Sequence, residues 1–124
     1  MSQHLFIITG ASRGMGLALA QALLSPDHRV LGSSRQSNDA LKAAAQAQSA
    51  PLTQWTLDLS DSEAAGQALQ VWLSGLKPED FASATLINNA GVIPTITPLS
   101  GSQPGEVARA LRVGLEAPML LTHA

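Results

Sequence analysis

The sequence predicts an α/β fold, a doubly wound parallel sheet. Short apolar runs rich in β-branched residues recur at LFIIT, RVLGSS, LTQWTLDL and ATLIN, and segments with the apolar spacing of helices stand between them. Strands that alternate with helices of this length pair in parallel through right-handed crossovers. The first run is followed at once by a cluster of glycines.

LFIIT (Leu5 to Thr9) is a continuous apolar run and reads as a strand buried on both faces. From Gly14 to Leu24, Met15, Leu19, Ala22 and Leu23 recur at helical spacing, and Pro26 with Asp27 closes the segment. RVLGSS (Arg29 to Ser34) reads as the second strand, and DALKAAAQAQ (Asp39 to Gln48) as a helix of high intrinsic propensity. LTQWTLDL (Leu52 to Leu59) suggests the third strand. The segment SDSEAAGQALQVWLSGL then opens with Ser60 and Glu63 at capping-box spacing and lines one face with Ala65, Leu69, Trp72 and Leu76. ATLIN (Ala84 to Asn88) is the fourth run, followed by NAG and a Pro/Thr/Ser loop from Pro94 to Pro104. A last helix covers ALRVGLEAPMLLTHA (Ala110 to Ala124), with Gly114 and Pro118 inside it. Both residues weaken a helix interior.

The composition narrows the function classes. At 124 residues, 45% hydrophobic and 13% charged, the chain is the size of one ordinary domain, and residues 1–124 are read as a single domain. A chain of this length buries roughly two thirds of its unfolded surface. A net charge of −2 with no long run of either sign argues against a nucleic-acid partner. Cysteine is absent, which excludes disulfides and thiolate metal sites. The run LFII is too short for a membrane span or a signal-peptide core, so the expected location is cytoplasmic.

TGASRGMG places Gly10, Gly14 and Gly16 at a strand-to-helix turn. Glycines there let the backbone bend and approach a ligand, and the helix start behind them offers free N–H groups to a pyrophosphate. The missing Gly-Lys-Ser/Thr ending excludes a phosphate-loop NTPase. About 20 residues further on, an NAD-specific site usually carries an acid for the ribose hydroxyls. Here the second strand ends in Ser33, Ser34 and Arg35. Arg35 can fork onto a 2'-phosphate, Ser34 can donate to it, and Arg13 can approach the same group, so the residues favour NADP(H) over NAD(H).

TGASRGMG, LDL at the end of the third run and NNAG (Asn88 to Gly91) after the fourth resemble, in order and spacing, the short-chain dehydrogenase/reductase family. Within it, FIITGASRGMG and APMLLT are similar to sepiapterin-reductase-like and benzil-reductase-like members. The resemblance implies a Rossmann-type sheet, truncated here after about four strands, as the N-terminal part of a longer fold. It implies that Gly10, Ser12, Arg13, Gly14, Met15 and Gly16 surround the pyrophosphate and adenosine ribose. Asp58 and Leu59 would lie against the adenine, and Asn89, Ala90 and Gly91 beside the ribose and nicotinamide, while Asn88 ties neighbouring strands. Asp58 also reads as a turn or cap residue.

The activity implied is hydride transfer between NADPH and a small carbonyl or alcohol substrate, in an intact enzyme expected to be a homo-oligomer. The family's Tyr-x-x-x-Lys pair has no counterpart, because the chain contains no tyrosine. No residue is therefore assigned a catalytic role, none a metal, and the chain alone is expected to be inactive. His4, His28 and His123 read as surface or structural residues. Gly114 stands where the family carries an asparagine linked to a helix irregularity, which a glycine can keep without supplying the side-chain bond. A non-catalytic nucleotide-binding module, or pseudoenzyme, is the alternative reading.

Overall fold

A computed structural model describes residues 2–124. By contacts the chain forms two compact units, one of the described residues up to Leu57 with Ser74–Ala90, the other of Asp58–Leu73 with Gly91–Ala124.

The first unit holds a four-stranded parallel sheet in the order β3-β2-β1-β4, built from β1 (Gln3–Thr9), β2 (His28–Ser34), β3 (Leu52–Thr56) and β4 (Phe81–Ile87). Ile8 on central β1 stands between Gly32 of β2 and Ile87 of β4. Helices α1 (Gly14–Leu23) and α2 (Asp39–Ala47) follow the first two strands. Ile8 and Val30 from the sheet, Ala20 and Leu24 from α1 and its end, and Leu41 and Ala45 from α2 form one buried cluster. Leu5, Ile7 and Leu31, at the alternate strand positions, are also buried. Each fully buried aliphatic side chain contributes about 1.5–3 kcal/mol, so β1 and β2 are the best anchored strands. β4 pairs with β1 along one edge, and Ala82 to Thr85 are exposed.

In the second unit α3 (Ser62–Ser74) is accompanied by α4 (Pro104–Leu111), a π-helical turn (Arg112–Glu116) and α5 (Ala117–His123). Ala65 and Leu69 of α3, Val113 of the turn and Ala117 and Leu121 of α5 are buried. A Cβ on Gly66 would lie 3.4 Å from the Leu120 carbonyl oxygen, a measure of how closely α3 and α5 pack.

The alternation of strands and helices is as the sequence predicts, and the departures have local causes. On α1 the buried residues are Gly16 and Ala20, whereas Met15 and Ala22 are exposed. The helix is apolar on several sides, and its smallest side chains take the side of closest approach. β3 stops at Thr56 and α3 begins at Ser62, because the Asp58 carboxylate accepts from both the backbone and the hydroxyl of Ser60 and shapes a turn there. Ser60 therefore does not cap α3, whose buried residues are Ser62, Ala65, Gly66 and Leu69. β4 begins at Phe81, three residues before the run that marked it. The last helix starts six residues before Ala110, with Pro104 in its first turn, where a missing N–H is harmless.

Candidate cofactor site

In the first unit the strand order reverses beside β1, since the chain runs outward through β2 and β3 and returns to place β4 on the other side. Open α/β sheets bind ligands at the carboxyl ends of the strands at such a point. The residues after β1 and after β4 meet there.

The turn after β1 is fixed by the Gly10 and Ala11 N–H groups, which both donate to the Ser33 carbonyl, at 2.8 and 3.2 Å. Gly10 and Gly14 have φ of +68° and +58°, where an L side chain is strained. Gly16 is glycine for another reason: a Cβ there would stand 2.0 Å from the Gly10 carbonyl oxygen and 2.6 Å from Asn89 Nδ2. Of the glycine set the sequence assigned to the pyrophosphate, Gly16 is thus the buried packing member. Gly14 faces open space, with nothing within 4 Å of where its Cβ would be.

Arg13 occupies the N-cap of α1 in extended conformation and makes no side-chain cap bond, and no acid lies in the first turn. The leading N–H groups of a ten-residue helix, with the positive end of its dipole, are consequently turned to an open surface with no capping oxygen from Arg13. Ser12 is half-buried, while Arg13 and Met15 are exposed.

Asn89 fastens the end of β4 to this loop. Its Nδ2 donates to the Thr9 and Gly10 carbonyls at 3.2 and 3.3 Å, and the Asn89 and Ala90 N–H groups donate to Thr9 Oγ1 at 3.0 and 2.9 Å. The tie between strands that the sequence reading gave to Asn88 is made by Asn89, and Asn88 is exposed. Thr9, buried with its hydroxyl accepting two amides, went unnoticed in the sequence because it reads there as one more strand residue.

At the end of β2, Arg35 is exposed. Ser34 Oγ donates to the Gln36 carbonyl, so in this structure that hydroxyl shapes the turn. Asn38, three residues after Arg35, bonds to Leu41, Ser12 and Gln54.

The second unit carries the remaining assigned residues. Asp58 is exposed and holds the Ser60 turn through Oδ1, Leu59 is buried, and Gly91 is exposed. Ser62 Oγ, itself buried, donates to the Glu116 carboxylate within the π turn. In that turn the Ala117 N–H donates to the Arg112 carbonyl, five residues back. Pro118 follows without an N–H, so the carbonyls before it lose a helical donor. The irregularity expected at Gly114 is therefore present, and nothing lies within 4 Å of a Cβ built on Gly114.

Two of the three histidines have structural partners: His28 Nδ1 bonds to the Leu23 carbonyl at 2.8 Å and His4 Nδ1 to Ser83 Oγ at 2.7 Å, while His123 is exposed in the last turn of α5. Among the described residues no group of three or more His, Cys, Asp or Glu could hold a metal, and no helix is long and apolar enough to cross a membrane.

An uncapped helix start, open glycine backbone and two exposed arginines suit a ligand with several phosphates. Comparison with known proteins agrees with that chemistry. The family model described as short chain dehydrogenase matches residues 4–124. A benzil reductase ((S)-benzoin forming) of Bacillus subtilis is 36% identical over 120 residues, which cover 97% of this chain and 46% of that protein. Among solved structures, a short-chain dehydrogenase/reductase from Burkholderia vietnamiensis is 37% identical with a TM-score of 0.78, over 98% of this chain and 55% of the other. A metagenomic short-chain oxidoreductase in complex with NADP is 32% identical with a TM-score of 0.82, over 100% of this chain and 55% of the other. The chain spans about half the length of these relatives.

Proposed function

The chain belongs to the short-chain dehydrogenase/reductase family, and on that premise we propose that it is the cofactor-binding half of an NADP-dependent oxidoreductase acting on a small carbonyl or alcohol. The observation that carries the reading is the open N-terminus of α1 at the point where the strand order reverses, with Gly14 unobstructed and Arg13 and Arg35 exposed.

Gly10, Ser12, Arg13, Gly14 and Met15 would hold the pyrophosphate and adenosine ribose through backbone N–H groups, with Gly16 keeping the loop tight against the helix. Arg35 would fork onto the 2'-phosphate with help from Arg13, and Ser34 would join once its hydroxyl turns from Gln36. Asn89 and Ala90 would serve the nicotinamide side, and the roles of Asp58, Leu59 and Gly91 stay those that the resemblance implies. When bound, NADPH supplies the hydride. The similarity to a benzil reductase makes aryl ketones such as benzil the first substrates to try.

Replacing Arg35 by Asp in the chain tests the cofactor assignment. Losing a charge-assisted fork and adding a repelling carboxylate should weaken NADPH by about 10- to 100-fold, with NADH unchanged or tighter, in a calorimetric titration. An unchanged ratio of the two affinities would overturn Arg35 as the phosphate reader.

A non-catalytic nucleotide-binding module is the second reading, favoured by the absence of tyrosine and by Gly114 in the asparagine position. A Tyr-x-x-x-Lys pair in the coding sequence after Ala124 decides for the first.

A further inference from the structure

The bonds around Asn38 join three parts of the first unit. Its Oδ1 accepts from the Leu41 N–H at 2.9 Å and caps α2, while its Nδ2 donates to the Ser12 carbonyl in the glycine turn at 3.0 Å. Its backbone is held as well: the Asn38 N–H donates to Gln54 Oε1 at 2.9 Å, and Gln54 Nε2 donates to the Asn38 carbonyl at 3.0 Å. Gln54 lies on β3, so the residue three positions after Arg35 is pinned to a strand, a helix and the opposite loop.

Capping alone does not call for asparagine. Serine or aspartate caps a helix equally well, but a carboxylate has no hydrogen to donate, and the single oxygen of serine, held at the Leu41 N–H, does not extend to the Ser12 carbonyl as the second arm of an amide does. The amide hydrogen given to Ser12 is therefore the part of Asn38 that α2 does not need. It is the side-chain bond between the segment carrying Ser34 and Arg35 and the glycine turn.

We propose that Asn38, held by Gln54, is a positioning residue that sets the spacing between the glycine turn and the Arg35 turn, and so the preference for a 2'-phosphorylated dinucleotide. This rests on the NADP reading above. The pyrophosphate and the 2'-phosphate belong to one ligand of fixed reach, and both must meet their donors together. Arg35, Gln36 and Ser37 are exposed; the turn they form is tied at its start by the Ser33 carbonyl, which accepts from Gly10 and Ala11, and by the Leu57 N–H bond to the Ser34 carbonyl, while at its far end Asn38 makes the bond to Ser12. A misplacement of about 1 Å is costly for groups that must act at once. NADH lacks the 2'-phosphate and does not engage the Arg35 turn in this way.

The test measures dissociation constants of NADPH and NADH for the full chain, Asn38→Ser, Arg35→Ala and the double variant, together with thermal melting. Serine keeps the cap and loses the bond to Ser12. Asn38→Ser should weaken NADPH about five- to tenfold, the range of one hydrogen bond, and NADH less than about twofold. In the Arg35→Ala background the same change should cost NADPH less than about twofold, because the spacing then has nothing left to serve. Equal losses for both nucleotides, or additivity with Arg35→Ala, overturn the proposal and leave Asn38 a structural cap. If Asn38→Ser does not fold, Gln54→Met carries the same comparison by freeing the Asn38 backbone. Wild-type chain that binds NADH as tightly as NADPH, or binds neither, overturns the NADP reading itself and this proposal with it.

Discussion

A glycine is informative only when its surroundings say what a side chain would meet. At Gly16 a methyl group would collide with the Gly10 carbonyl, and no rotamer relieves a backbone clash. Gly16→Ala should therefore destabilise the chain by about 2–3 kcal/mol or more, read as a lower urea midpoint with unchanged slope. A loss below about 1 kcal/mol would mean that α1 can slide away from the loop. The three glycines of TGASRGMG look alike in the sequence, and their difference lies in what each faces: carbonyl and Asn89 for Gly16, open surface for Gly14. Spacing made the loop legible. It could not show that Thr9 Oγ1 receives two amides from a segment 80 positions away, nor that Asn38 reaches Ser12 and Gln54, since such bonds leave no local periodicity.

Among the elements, the helical segment from Pro104 to His123 shows how a break can be placed without ending a helix. Gly114 and Pro118 mark where it departs from α geometry, and the departure is a π turn in which the Ala117 N–H reaches back five residues to the Arg112 carbonyl. The sequence showed the two breakers but not the form of the break, because an inserted residue changes the register rather than the composition. Gly114 has no positive φ and no close neighbour, so here the glycine is not sterically required. Gly114→Ala should raise stability by about 0.5–1 kcal/mol, measured as a higher melting temperature, and a loss would show that the π turn depends on the glycine. The Ser62 hydroxyl, buried at the start of α3, gives this turn a polar anchor on Glu116. Ser62→Ala should cost about 1 kcal/mol, since Glu116 is exposed and water replaces part of the bond. A neutral result in chemical denaturation would remove the anchor from the account.

For the whole molecule, the strand order came from the structure, whereas family and fold class were legible because they rest on repeated local signals, the alternation of strands with helices and the three motifs at fixed places. The division into two units and the true start of β4 were not, since both depend on which apolar residues find partners. The chain contains no tyrosine. Incubated with NADPH and benzil, it should show no oxidation of the cofactor at 340 nm above the blank, and measurable turnover would mean that an acid outside the tyrosine scheme operates. The sheet order has a further consequence in time. Ile8 pairs with Ile87, so a nascent β1 must wait for the synthesis of 79 more residues before its second edge is covered. At roughly 5–20 residues per second that is an interval of roughly 4–16 s, during which the strand with the most buried apolar side chains is half open to other chains. A chaperone that binds such segments during translation would find β1 its longest-lived target.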